Sequence, residues 1–266
     1  IDIAVPSQND LPPLIKAGLV QPLDMSRLPN RKHLDKQLLS KLAAVDPQNR
    51  YAVPYLWGAV GLAINTPQAE AAYGGPLPSS WSLLFDPTQS SKLASCGVSV
   101  LDAPDEMFYN LLSYQGRSLT NSSPGRLRKA GEALMGLHPN LRYVDSERYI
   151  DDLNQGRLCV AVAWVGDALG ASDAGQPVQF VVPEEGSTLF IDNLVIPSSA
   201  RRADLAHQFI DYLMQPQVAA QISSETLYPS ANLGAQQFLE PKLREQLGRN
   251  LDSAKNRLFA LMPLSD

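Results

Sequence analysis

Residues 158–170 read LCVAVAWVGDALG. An unbroken apolar run ends at Val165, and a glycine and an aspartate follow at once. A short run this rich in valine reads as a strand buried on both faces. Gly166-Asp167 ahead of ALGAS suits the start of a helix. A strand that runs straight into a helix is the repeating step of an α/β architecture. The junction leaves two readings open. Either Asp167 caps the helix and Trp164 packs in the core, or the two side chains face a ligand.

The alternation continues outward from that junction. IDIAV (1–5) reads as a strand broken by Pro6, and LPPLIKAG (11–18) as a helix ended by Gly18. YAVPYLWGAVGLAIN (51–65) is a long apolar segment, mostly strand, punctuated by Pro54 and Gly58. WSLLFDP (81–87) reads as a short helix or turn, and VSVLD (98–102) as a strand followed by a helix near 105–114. SSPGRLRKAGEALMGL (122–137) combines a serine cap, an early Pro124 and apolar residues at helical spacing. Residues 146–155 read as a helix with Ser146 or Asp145 as cap and Gly156 as stop. VQFVVP (178–183) and DNLVIP (192–197) read as strands. RRADLAHQFIDYLM (201–214) reads as an amphipathic helix, with Pro216 beyond it. No repeat, low-complexity tract or flexible linker interrupts the pattern, so a division into lobes must be made by crossovers of the chain.

Composition narrows the function classes. With 266 residues and 44% hydrophobic content, the chain can bury one large core or two smaller ones. It contains no apolar run of the roughly 18 residues a membrane helix needs. The opening IDIAVPS has no basic segment or cleavage site of a secretion signal. Net charge is −5 and no block of Lys and Arg is present, so nucleic acid is not an expected partner. No CxxC, HExxH or histidine cluster occurs, and neither a metal nor a cofactor is expected. The serine-hydrolase elbow, the P-loop and the dinucleotide fingerprint are absent, and His33, His138 and His207 have no nucleophile in a recognisable context. These absences argue against an enzyme. Cys96 and Cys159 flank strand-like runs and read either as two inert buried thiols or as a disulfide.

Five segments carry a resemblance: IDIAVPS, YAVPYLWGAVGLAIN, LASCGVSVLDAPDE, SERYIDDLNQGRLCVAVAWVGDA and EEGSTLFIDNLVIPSSA. Taken in order, they resemble the periplasmic spermidine/putrescine-binding proteins of bacterial ABC transporters, most closely the putrescine-type branch. The likeness runs from residue 1 to about 235 and is poor over the final stretch. It implies a type II periplasmic binding protein fold: two α/β lobes, a hinge of strand crossovers and a ligand held in the cleft. Lobe one would hold 1–60 and 187–228, and lobe two 61–186 and 229–266. Family members begin well before Ile1, so the N-terminal part of lobe one is expected to be absent, leaving sheet edges exposed. The resemblance also implies a non-enzyme in the periplasm, a monomer that hands a polyamine to an ABC transporter permease. It pairs Cys96 with Cys159.

Carried over by position, the implied ligand contacts are Ser7, Glu106, Ser146, Trp164, Asp167, Phe190, Asp192 and Tyr228. The chemistry fits the residue types. Putrescine is a four-carbon chain with an ammonium at each end. Each ammonium needs carboxylates and hydroxyls, and burying it unpaired is costly. The methylenes need flat apolar walls, and aromatic faces serve both parts, at about 0.5–2 kcal/mol per cation–π contact. Without the resemblance most of these residues have ordinary readings. Ser7 and Ser146 are turn or cap serines, Phe190 and Tyr228 core aromatics, and Glu106 a solvated helix residue. Asp192 is the hardest to dismiss, because an acid inside an apolar strand needs a partner. Other cargoes stay open: another cationic amine, an amino-acid derivative, or a ligand-sensing role on the same scaffold.

Overall fold

In the computed structural model, which describes residues 1–117 and 123–261, the segment 51–65 forms one strand, β1 (Ala52–Asn65). The others are β2 (Val98–Val100), β3 (Tyr143–Val144), β4 (Val160–Trp164), β5 (Val178–Val181), β6 (Ser187–Val195) and β7 (Leu258–Ala260). Their order is β3-β2-β4-β1-β6-β7, with β5 also paired to β1. β1 runs antiparallel to β4 from Val60↔Trp164 to Ile64↔Val160, and to β5 from Leu62↔Val181 to Asn65↔Val178. β2 runs parallel to β3 and β4. The second half of β1 is buried throughout, which is why its sequence shows no polar alternation. Gly61 is required there. A Cβ would stand 2.6 Å from both the Phe180 ring and the Val181 carbonyl, so only glycine lets β5 lie against β1.

The chain divides into two compact units. Unit 1 holds Ile1–Gly58 and Phe190–Leu247 and resumes at Ala260; unit 2 holds Ala59–Leu189 and Gly248–Phe259. The chain passes between them four times, inside β1, inside β6, inside the helix Pro241–Leu251 and inside β7, so continuous secondary structure makes the crossovers in place of a flexible tether. The core of unit 1 is built from Leu11, Val20, Leu42, Val45, Ala52 and Val195, with Leu14, Ile15 and Tyr51 packed against it. In unit 2, Trp81, Tyr149, Leu84, Leu93 and Leu153 are fully buried. The Trp81 indole satisfies its N–H on the Gly186 carbonyl at 2.8 Å. A disulfide joins Cys96 to Cys159 within unit 2, 63 residues apart in sequence. Closing a loop of that length stabilises the fold by roughly 4 kcal/mol in the loop-entropy description.

Several expectations change. IDIAV is not a continuous strand: it pairs through single bridges, Ala4↔Val195 and Ser7↔Asp192. Ala4 exchanges both backbone hydrogen bonds with Val195, but Pro6 has no N–H and only accepts, from Asn193. Pro216 does not merely follow a helix. It opens the next one, Pro216–Thr226, from Gln215 in extended conformation. The helix expected from 122 runs Pro124–Gly136, and Ser122 lies outside the described residues. The lobe boundary in the C-terminal region also moves. Residues 229–247 belong to unit 1, not to the second lobe. The Trp57 N–H donates to the Pro229 carbonyl, the Ala231 N–H to Tyr55 and the Asp35 N–H to Ala231, tying this segment to the first half of β1 and to Asp35. Gly248–Phe259 then joins unit 2, where the Arg257 guanidinium donates to the Val182 carbonyl. Among the described residues no helix is long and apolar enough to cross a membrane.

Candidate functional site

In unit 1, β6 is buried along its length except at Asp192, which is half-buried. Alternation places Phe190 on the same face as Asp192. The backbone around Asp192 is fixed from both sides. The Ile191 N–H donates to the Gln8 side-chain oxygen at 2.6 Å, and the Asn193 N–H to the Pro6 carbonyl at 2.9 Å. Gln8 is itself buried and spends its amide N–H on the Leu261 carbonyl. These bonds hold the Pro6-Ser7-Gln8 loop across the strand, and the Ser7 hydroxyl donates to Asp192 Oδ1 at 2.7 Å. Phe190 meets Tyr228 edge-on, with ring centroids 5.8 Å apart and planes at 69°. Tyr228 is turned by Leu227, whose left-handed backbone (φ 60°) ends the helix Pro216–Thr226.

Burial is the main influence on Asp192 and pushes its carboxyl above the usual range. The Ser7 hydroxyl pulls it down, and the Asp10 charge pushes it further up. Among the described residues no ion pair joins Asp192 to a basic side chain. A half-buried carboxylate with one hydroxyl donor and an aromatic pair on its own face is unfinished electrostatically. Such a group is chemically suited to accept a cation.

In unit 2, Trp164 ends β4 and stands at the N-cap position of the helix Val165–Asp173, so Asp167 lies in the first turn and is not the cap. The helix dipole favours a negative charge there. The Tyr149 hydroxyl donates to Asp167 Oδ2, and the Tyr149 ring lies 6.4 Å from Trp164 at 56°. Tyr149 is fully buried and unites the two residues of the opening segment. It lies in the quoted SERYI run, but nothing in that run marks it as a partner of Asp167. Ser146 does not cap its helix. Nor does Asp145 hold the N-cap position of Arg148–Asn154, which Glu147 occupies; the Asp145 carboxylate, two residues earlier, accepts from the Glu147 and Arg148 N–H groups at 2.8 and 2.7 Å. The Ser146 hydroxyl is buried and has no hydrogen-bond partner among the described residues. Glu106 is half-buried in the first turn of Pro104–Tyr114. Gln8 and Tyr149, the two positioning residues, are absent from the sequence-derived set. Only a buried polar side chain would have flagged them, and burial is not visible in a sequence.

The structure thus brings Ser7 to Asp192, Phe190 to Tyr228, and Trp164 to Asp167 through Tyr149. Among the described residues no cluster of His, Cys, Asp and Glu is arranged to hold a metal ion. The model of the bacterial extracellular solute-binding proteins matches residues 1–251. The chain belongs to that family. Its fold is the two-unit α/β fold of these solute binders, which are not catalysts. The chain is 40% identical over 255 residues to the putrescine-binding periplasmic protein of Escherichia coli K12, covering 93% of this chain and 69% of the relative. It is 39% identical over 270 residues to the putrescine/agmatine-binding protein of Pseudomonas aeruginosa, covering 99% and 73%. A solved Listeria monocytogenes chain assigned to a spermidine/putrescine ABC transporter superposes with a TM-score of 0.87 at 28% identity. That alignment covers 100% of this chain and 79% of the other.

Proposed function

We propose that this family member is the periplasmic capture subunit of a polyamine ABC transporter, with putrescine as its cargo. One observation carries the reading: Asp192, a desolvated carboxylate on a crossover strand, accepts from the Ser7 hydroxyl, shares its strand face with Phe190, which meets Tyr228, and has no basic partner among the described residues. An ammonium supplies the missing charge, Ser7 shares the carboxylate, and Phe190 and Tyr228 pack the attached methylenes. In unit 2, Asp167 with Trp164 forms a second acid–aromatic group, Ser146 offers an unused hydroxyl, and Glu106 adds a further carboxylate. The chain therefore offers two acid–aromatic groups, and a diamine presents two ammonium ends. The curated relatives named above bind putrescine, and one of them agmatine, by name. An inner-membrane permease is the receiving partner.

Calorimetric titration of the 266-residue chain with putrescine, cadaverine and spermidine tests the proposal. Saturable one-to-one binding of putrescine is the expected result. A folded chain that binds none of the three overturns the reading.

A further inference from the structure

The candidate acid Glu106 and the fully buried Asn110 stand one turn apart on the helix Pro104–Tyr114, on the same face. A buried amide needs partners for both its oxygen and its NH₂ group. Asn110 finds them on one residue of β6. Its Oδ1 accepts the Thr188 N–H at 3.1 Å, and its Nδ2 donates to Thr188 Oγ1 at 3.3 Å. A backbone N–H only donates, so this pairing fixes which end of the amide is the oxygen. The Ser187 hydroxyl donates to the Val60 carbonyl at 2.5 Å and lies 3.0 Å from the same Oδ1. Val60, Ser187 and Thr188 are fully buried like Asn110, and all four belong to unit 2. One amide thus gathers the helix, β6 and, through Ser187, β1.

The helix and the strands already bury apolar side chains, among them Met107, Leu111 and Leu189. Apolar packing is non-directional and tolerates sliding. Two hydrogen bonds to a single residue tolerate one register only. The strand held in this way is the one that carries Phe190 and Asp192, two and four residues beyond Thr188. The helix held against it carries Glu106 in its first turn.

We propose that Asn110 is a positioning residue for cargo recognition: by fixing the helix Pro104–Tyr114 to β6, it sets where Glu106 presents its carboxylate and therefore which length of diamine is accepted. The inference rests on the polyamine reading and deepens it. One methylene lengthens a diamine by roughly the 1.5 Å that one helical residue rises, so a helix free to slide would not distinguish putrescine from cadaverine.

The test is calorimetric titration of the full chain and its variants with putrescine and cadaverine, after urea titration has shown each variant to be folded. Asn110→Ala is expected to weaken putrescine about tenfold and to narrow the affinity ratio between the two diamines. In the Glu106→Gln background the same substitution should weaken putrescine less than about twofold, because the carboxylate it positions is gone. A purely structural role weakens both diamines alike and acts equally in both backgrounds. Where Glu106→Gln binds too weakly to titrate, the ratio decides. Where Asn110→Ala does not fold, Thr188→Val carries the test: it deletes only the hydroxyl that accepts from the amide, and a several-fold loss with the same narrowing is expected. The assignment is overturned if the wild type binds the two diamines equally, if the variants leave their ratio unchanged, or if the Asn110→Ala loss is undiminished in the Glu106→Gln background. A folded wild-type chain that binds no polyamine overturns the polyamine reading itself; wild-type binding with any of those three outcomes overturns this assignment alone.

Discussion

Asp192 and Asp167 present the same functional group from opposite kinds of backbone. Asp192 projects from the middle of a buried strand, where no dipole helps it and burial opposes its charge. Asp167 stands in the first turn of a helix, with the dipole in its favour and the Tyr149 hydroxyl donating to it. Under the proposed function the first carboxylate finds its charged partner only in the incoming cation. The second is prepared by the protein itself. Under the proposed function Asp192 carries the larger share of ligand-dependent change and Asp167 is a preorganised anchor.

The largest expected effect belongs to the frame around Asp167. Replacing both Cys96 and Cys159 with alanine should lower stability in a urea titration by about 4 kcal/mol, since the disulfide constrains unit 2 alone. An unchanged midpoint would show that the cross-link is dispensable there. Next comes Asp192→Asn, which should weaken putrescine binding by about 2–5 kcal/mol, the usual loss on removing one partner of a buried charge pair. A change under about 0.5 kcal/mol would remove Asp192 from the site.

The pH dependence sharpens the same contrast. The folded-state carboxyl of Asp192 lies above its unfolded value, so its ionisation opposes folding. Its contribution is most favourable below the unfolded pKa and is lost as pH rises through the raised one. A cation needs the ionised form, so putrescine affinity should fall as pH drops through that raised range. Asp192→Asn should flatten this acid limb, and an identical limb in the variant would place the titrating group elsewhere.

Two smaller effects separate the supports of the two acids. Tyr149→Phe deletes a buried donor to a carboxylate and should reduce affinity by about 1.5–3 kcal/mol while the far-UV spectrum is retained. Ser7→Ala should reduce affinity by about 1 kcal/mol. It should also move the acid limb to higher pH, because the lost hydroxyl is the group that holds the Asp192 carboxyl down. A limb that stays in place would show that Ser7 does not act on the titrating group.

Much of this molecule is legible one residue at a time. β1 declares itself as a strand by its unbroken apolar run, and Phe190 and Asp192 share a face because strand side chains alternate. Other features depend on partners far away in the chain. Ser7 meets Asp192 across 185 positions, and Gln8 reaches Ile191 across 183. Pro216 lies beyond one helix and opens the next, because a proline supplies a helical φ in the first turn, where its missing N–H is not needed.

The residues alone determine the alternation of strands and helices, the net charge, the absence of familiar catalytic motifs and the acid–aromatic pairs. Their spacing is local, and local sterics and periodicity fix it. Only the tertiary structure decides that Asp192 lacks a basic partner among the described residues, that Tyr149 serves Asp167 and that the chain stays in unit 1 from Tyr228 to Leu247. Burial and hydrogen bonding between residues distant in sequence arise only when the core closes, and no local pattern encodes which groups that closure leaves without a partner.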